Sequence, residues 1–200
     1  MPTYQSETIA FKDLYNGGRQ NYSLVIPEYQ RSYLWKNQQF EKLIESLLEN
    51  FSSLDKISTK SFFLGAIIFS KSNYDDNATL DTHDIVDGQQ RLTSISLLLI
   101  NLFFEIEKLH QKFEYEENTE EITWINNEVK EIKTGIKRFL FCEEANYEMQ
   151  NKIEYLMPRI VRQEDRRSTN IEKQRYTSSV AQIINKFKRY YNNTLSDNEK

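Results

Sequence analysis

The run DIVDGQQRLT, Asp84 to Thr93, gathers the residue types a phosphate site needs. Ile85 and Val86 are β-branched, Asp87-Gly88 is a tight-turn pair, and the apolar residues that follow recur with helical spacing, so the run reads as strand, turn and helix. The first backbone N–H groups of such a helix lack intrahelical acceptors and sit at the positive end of its dipole, and an anion is their natural guest. Gly88 lets a ligand approach the backbone, Arg91 offers a planar fork of donors suited to phosphate, and Gln89 and Gln90 add neutral donors and acceptors. Asp87 could hold a ribose hydroxyl, a metal or a water. The competing reading is a hairpin, for which Asp-Gly is the commonest signal. A hairpin needs a second alternating strand after the turn, and here the period changes to a helical one.

A second cluster precedes it, EYQRSYLW, Glu28 to Trp35. Gln30 and Arg31 stand among Tyr29, Tyr33 and Trp35, an aromatic framework able to fix their direction. Taken alone, Arg31 reads as a guanidinium stacked on a ring, worth about 0.5 to 1 kcal/mol at an exposed site. Other groups carry less. Cys142 has no nearby histidine to activate it and reads as a small packed side chain. Asp75, Asp76 and Asp81 could hold a metal but read as solvated loop charges, and His110 reads as a surface residue. Arg159, Arg162, Arg166, Arg167, Lys173, Arg175, Lys186, Lys188 and Arg189 collect positive charge late in the chain; a solvated helix face competes there with a phosphate-contacting surface.

These residues must be positioned by elements that the pattern makes visible. A short helix is expected at Ile9 to Tyr15 before the Gly17-Gly18 turn, and a short strand over Tyr22 to Ile26, closed by Pro27. Asn37 reads as an N-cap, and Phe40, Leu43, Ile44, Leu47, Leu48 and Phe51 trace one helix face. Phe62 to Phe69, FFLGAIIF, reads as a buried strand that another backbone approaches at Gly65, joined by a hairpin connection, Ser70 to Thr82, to His83–Val86. The helix from Leu92 to about Phe113 is apolar around most of its circumference and must be packed on several sides. After the glutamate-rich stretch Glu114 to Glu121, another amphipathic helix runs from Ile122 to Leu140. Pro158 to Val161 reads as a late strand. A last helix, begun at Asp165 or Ser168, is expected to bury Tyr176, Val180, Ile183, Ile184, Phe187 and Tyr190.

Composition bounds the function. With 200 residues, 38% hydrophobic and 28% charged, the chain can bury one good core. One cysteine and two histidines exclude an internal disulfide and a Cys/His zinc set, and nothing suggests a haem. The N-terminus lacks the basic start and apolar core of a secretory signal, and Ile95 to Ile106 is too short to span a bilayer. A cytoplasmic protein without membrane contact is expected. The net charge of −4 argues against a uniformly basic nucleic-acid binder.

In this order, IPEYQRSYLW, FFLGAIIF and DIVDGQQRLTSISLLL resemble the N-terminal domain of GmrSD-type (type IV) restriction systems, related in fold to ParB and sulfiredoxin. The resemblance covers residues 5 to 113 well and the helical remainder by general pattern. It implies an α+β fold: a small mixed β-sheet flanked by helices over residues 1–113, ParB/sulfiredoxin-like and nucleotide-binding, followed by a mostly helical extension, 114–200, cut before a further domain. It also implies a nucleotide pocket where the two motifs meet. Asp87 to Arg91 would cradle phosphates with Thr93 near the same helix end, and Gln30 and Arg31 would close the other side, which makes Arg31 functional rather than merely stacked. No Walker A sequence is present, so phosphoryl chemistry would use a different cradle.

The leading expectation is a sensor that binds and hydrolyses a nucleoside triphosphate with a divalent cation, magnesium, within an anti-phage system that recognises modified DNA. In it Arg31 and Arg91 stabilise phosphate charge, Gln89 or Gln90 positions water, and Asp87 holds metal or water. The expected partners are DNA, possibly modified, and an HNH-type nuclease domain or subunit, whose histidine-based centre this chain lacks; a homo-oligomer is also compatible. The alternative is a module without turnover that takes a DNA backbone or a partner in the same cleft.

Overall fold

The sheet that carries the site is built on β1 (Tyr22–Ile26), five residues all buried. A strand covered on both faces needs no alternation, which explains why Leu24, Val25 and Ile26 follow one another in it. In the computed structural model, which describes residues 22–52, 65–71, 81–113, 119–143, 156–163 and 176–198, β1 is a central strand of a small mixed sheet. Around it stand four helices, a mixed α+β arrangement that is mostly helical. The sheet order is β2 (Ile68–Lys71), β3 (Asp81–Asp87), β1, β6 (Ile160–Arg162). β3 and β6 run parallel to β1, and β2 runs antiparallel to β3, as the hairpin reading expected. Hydrogen bonding thus crosses residue 113, since β6 comes from the later part of the chain.

Register assigns the faces. Leu24 lies beside His83 and Ile160, and Val25 beside Asp84 and Val161. Because successive strand residues point to opposite faces, Leu24, Ile26, Ile85 and Ile160 enter the main core. Val25 and Val161 pack instead with Tyr176 and Ala181. Helix α1 (Asn37–Ser52) buries Leu43 and partly buries Phe40, Ile44 and Leu47 of the expected apolar face, whereas Leu48 is exposed. Helix α2 (Gln89–Phe113) supplies Leu92, Ile95, Ile100 and Phe103 to the main core.

Helix α3 (Glu120–Leu140) begins at Thr119, whose hydroxyl accepts from the Ile122 amide at 3.2 Å; Glu120 and Glu121 in its first turn and Lys137 and Arg138 in its last complement the dipole. It is tied to α2 by a largely buried Glu107–Lys133 ion pair and by His110 Nε2 against Asn126 Oδ1 at 2.7 Å. His110, read as a surface residue, is half-buried and ties the two helices through an exposed hydrogen bond. Helix α4 (Ser179–Asn198) is capped by Ser178, whose Oγ accepts from the Ala181 amide. Phe187 of α4 meets Phe103 edge-on at 4.9 Å and lies parallel to Phe141 at 6.2 Å. Truncating a ring such as Phe103 typically costs about 3 to 5 kcal/mol.

Several expectations are corrected. The run through Phe69 is not one buried strand: Gly65 to Ile67 are irregular, β2 starts at Ile68, and Ile68 is exposed on an edge. Gly65 has φ 97°, which breaks the extended path, and its close neighbour is the Arg91 guanidinium rather than another backbone. Pro158 to Val161 forms not one strand but the ends of two. β5 (Leu156–Pro158) pairs with β4 (Phe141–Glu143) in a separate two-stranded sheet, and β6 joins the main one. On α4, Ile183 and Tyr190 are exposed while Ala181 and Tyr191 are buried, and Tyr176 precedes the helix.

Arg159, between β5 and β6, is not surface charge either; it is 3% exposed. Its Nη1 donates to Tyr22 O at 2.5 Å and its Nη2 to Arg138 O and Phe141 O at 2.6 Å, with Nε also reaching Arg138 O. The guanidinium lies 4.5 Å from the Tyr22 ring centroid. The end of α3 leaves carbonyls without intrahelical partners, and this side chain and its own amide, which donates to Leu140 O, satisfy them. The last helix starts not at Asp165 or Ser168 but at Ser179, after the non-helical Tyr176 to Ser178. The expected helix at Ile9 to Tyr15, Phe62 to Leu64, Asp75 and Asp76, Glu114 to Asn118, Asp165 and Ser168 lie outside the described residues. So do Arg166, Arg167, Lys173 and Arg175.

Candidate functional site

The strand, turn and helix expected at Asp84 to Thr93 are present. β3 ends at Asp87, Gly88 takes φ 93°, and the first α-helical bond of α2 runs from Leu92 N–H to Gly88 O at 3.0 Å. Only glycine takes this φ without strain, and a Cβ there would also stand 3.1 Å from Ile67. Asp87 is exposed and its Oδ1 accepts from the Gly88 amide at 2.8 Å. The backbone N–H groups of Gln89, Gln90 and Arg91 have no acceptor among the described residues. Three adjacent donors thus stand at the positive end of a long helix, with a carboxylate beside them.

The two sequence clusters do meet here, through glutamines. Gln90 behaves as a detached peptide group. Its Oε1 accepts from Leu34 N–H at 2.7 Å and Trp35 N–H at 3.3 Å, and its Nε2 donates to Ser32 O at 3.1 Å. Gln89 donates from Nε2 to Arg31 O at 3.1 Å, and Gln30 returns the contact, donating to Val86 O at 2.8 Å. Gln89 and Gln90 are buried, where an amide without partners would cost about 1 to 3 kcal/mol each, so these bonds are needed. Tyr33 Oη lies 2.9 Å from Ser94 Oγ, adding a sixth tie. The segment after β1 has no ladder of its own, and the start of α2 supplies its pairing instead.

The arginines differ in engagement. Arg91 is half-buried; its Nη1 donates to Ala66 O at 2.8 Å, and its guanidinium lies over Gly65, where a Cβ would come within 2.6 Å of Cζ. Among the described residues, this one hydrogen bond leaves most of its donor fork available. Arg31 is exposed, and among the described residues its guanidinium has neither a hydrogen bond nor a ring beneath it, so the stacked reading does not hold there. Thr93 is buried on the first turns of α2.

Sequence reasoning did not tie three further groups to this region, although Arg162 stood among the late positive charges. Arg162 Nη2 donates to Gln30 O at 3.3 Å and Gln163 Oε1 accepts from the Glu28 amide at 3.3 Å, so the end of β6 holds the loop from its other side. Asp84 carries a buried Oδ1 without a hydrogen-bond partner among the described residues. Its place inside the DIVDG run was the available signal; for Arg162 and Gln163, distant in sequence, none existed. Among the described residues no group of three or more His, Cys, Asp or Glu could hold a metal, so a cation here would rest on Asp87 and on oxygens a ligand brings. No helix among them is long and apolar enough to cross a membrane.

The uncharacterised protein MJ0686 of Methanocaldococcus jannaschii is 26% identical, over a match covering 69% of this chain and 33% of that protein. The chain thus spans about a third of the curated relative's length. The model of the GmrSD restriction endonuclease N-terminal domain matches residues 11–200, the whole of the site and of the sheet that carries it, and the chain belongs to that family.

Proposed function

We propose that the Asp87–Arg91 turn binds the phosphates of a nucleoside triphosphate with magnesium, and that this chain is the nucleotide-responsive part of an anti-phage restriction system acting on modified DNA. The observation that carries the reading is the row of N–H groups at Gln89, Gln90 and Arg91, without acceptors among the described residues, beside the exposed Asp87 carboxylate. Asp87 adds negative charge where the helix dipole favours an anion, so a bare phosphate meets partial repulsion while a cation-bridged one does not. This donor set fits a magnesium nucleotide, because that ion is commonly held by one or two carboxylates plus substrate phosphates. Asp87 would hold the cation, which when bound neutralises phosphate charge. Arg91 and Arg31 would face the remaining phosphate oxygens, and the first-turn amides would orient them. Gln89 and Gln90 have their side chains committed to the loop, so any part they take in hydrolysis runs through it.

Within this reading the fold is a ParB/sulfiredoxin-like variant, the protein is cytoplasmic, and an HNH-type nuclease domain or subunit supplies cleavage. The competing reading, a DNA-backbone module without turnover, is weakened because Arg159 is unavailable to phosphate. Binding of labelled nucleoside triphosphates by wild type, Arg31→Ala and Arg91→Ala tests the choice. Loss in either variant with an intact fold is expected; unchanged binding in both sinks the nucleotide site. A steep fall of DNA binding with salt, without nucleotide binding, would favour the module.

A further inference from the structure

Gln89 and Gln90 each have two faces toward the site. Their backbone N–H groups have no acceptor among the described residues in the first turn of α2, while their side chains hold Arg31 O, Ser32 O, Leu34 N–H and Trp35 N–H. Between those anchored atoms lies the exposed Arg31 side chain, free of any partner among the described residues. A guanidinium on an unbraced loop must be ordered when it meets a ligand; one whose flanking backbone is already fixed loses less freedom.

We propose that Gln90, assisted by Gln89, is a positioning residue that acts through the loop from Arg31 to Trp35, aiming the Arg31 guanidinium at the phosphates held by the first turn of α2. The proposal rests on the phosphate reading above and assigns the glutamines a role other than orienting water. Only an amide side chain suits Gln90, because the position needs an acceptor for two N–H groups and a donor for one carbonyl at once. A glutamate there supplies the first and places charge against Ser32 O; an alanine supplies neither.

The test is a double-mutant cycle read by nucleotide affinity, with backbone hydrogen exchange on the nucleotide-free protein. In wild type the Leu34 and Trp35 amides should be protected, and Gln90→Ala should expose them while β1 and α4 keep their protection. Nucleotide affinity should fall about tenfold in Gln90→Ala and in Arg31→Ala, and by about the same tenfold, not a hundredfold, in the double variant, since a misaimed group and a missing one forfeit the same contact. Gln89→Ala, which removes one bond, should fall between wild type and Gln90→Ala and serves if the latter does not fold. If the losses multiply, or if Leu34 and Trp35 stay protected in Gln90→Ala, the positioning role is wrong while the nucleotide site stands. If wild type binds no nucleotide, the phosphate reading fails and this inference with it.

Discussion

Two regions of the molecule use arginine in opposite ways. Arg159 is buried, and its donors are spent on the carbonyls of Tyr22, Arg138 and Phe141. At the site, Arg91 gives one bond to Ala66 O and Arg31 gives none among the described residues. Both regions join segments far apart in sequence, but the first does so by a charge locked among peptide dipoles, the second by neutral glutamines that leave the charges available. Saturated donors hold a fold together; unsaturated ones, aimed by something else, are left for a ligand. The lesson is that partner accounting, not residue type, separates the structural arginine from those proposed to meet a ligand.

The contrast can be broken most directly at its structural end. Arg159→Met should destabilise the protein by on the order of 3 to 5 kcal/mol in urea unfolding, because buried carbonyls lose charged donors; a loss below about 1 kcal/mol would mean that water replaces the side chain. Next in size, Gly65→Ala should cost about 1 to 2 kcal/mol through its positive φ, and it should also displace the Arg91 guanidinium. Nucleotide binding in that variant should therefore weaken although the glycine touches no ligand. Arg91→Ala itself should change stability by less than about 1 kcal/mol, since a single partly exposed bond is lost. A large loss there would erase the distinction between the two regions.

The smallest effect concerns pH. Burial raises the Tyr22 hydroxyl pKa, against the opposing pull of Arg159, and burial likewise raises that of Tyr191. A folded pKa above the unfolded value means that the native state holds the proton longer, so this stability is present below about pH 10 and is lost as pH rises through the folded values. Tyr22→Phe combined with Tyr191→Phe should flatten the alkaline limb of the stability profile and leave its acid limb unchanged.

Local chemistry made much of this legible in the sequence. The period change at Gly88 marked the start of α2, and the apolar stripe from Phe40 marked α1, because both signals lie within a few residues of the structure they specify. Phe62 to Phe69 misled because an apolar run does not reveal the positive φ that Gly65 takes beside Arg91. Arg159 was counted as surface charge because its partners come from β1, α3 and β4, and nothing near it in sequence announces a cage of carbonyls. The glutamine brace was invisible for the same reason. Gln89 and Gln90 stood out as polar residues in a motif, but their commitment to Ser32, Leu34 and Trp35 is a long-range pairing. The structure does bring the two motifs together, while which of their side chains are committed to the loop and which are not needed the fold.

The measurement that bears most directly on the central claim is calorimetric titration of the purified protein with nucleoside triphosphate, with and without magnesium, for wild type and Asp87→Asn. Saturable, magnesium-dependent binding by wild type is predicted, raising apparent stability by about 2.7 kcal/mol at a hundredfold excess over the dissociation constant; Asp87→Asn should lose the magnesium dependence. Absence of binding, or binding indifferent to both magnesium and Asp87, would contradict a phosphate site at the start of α2.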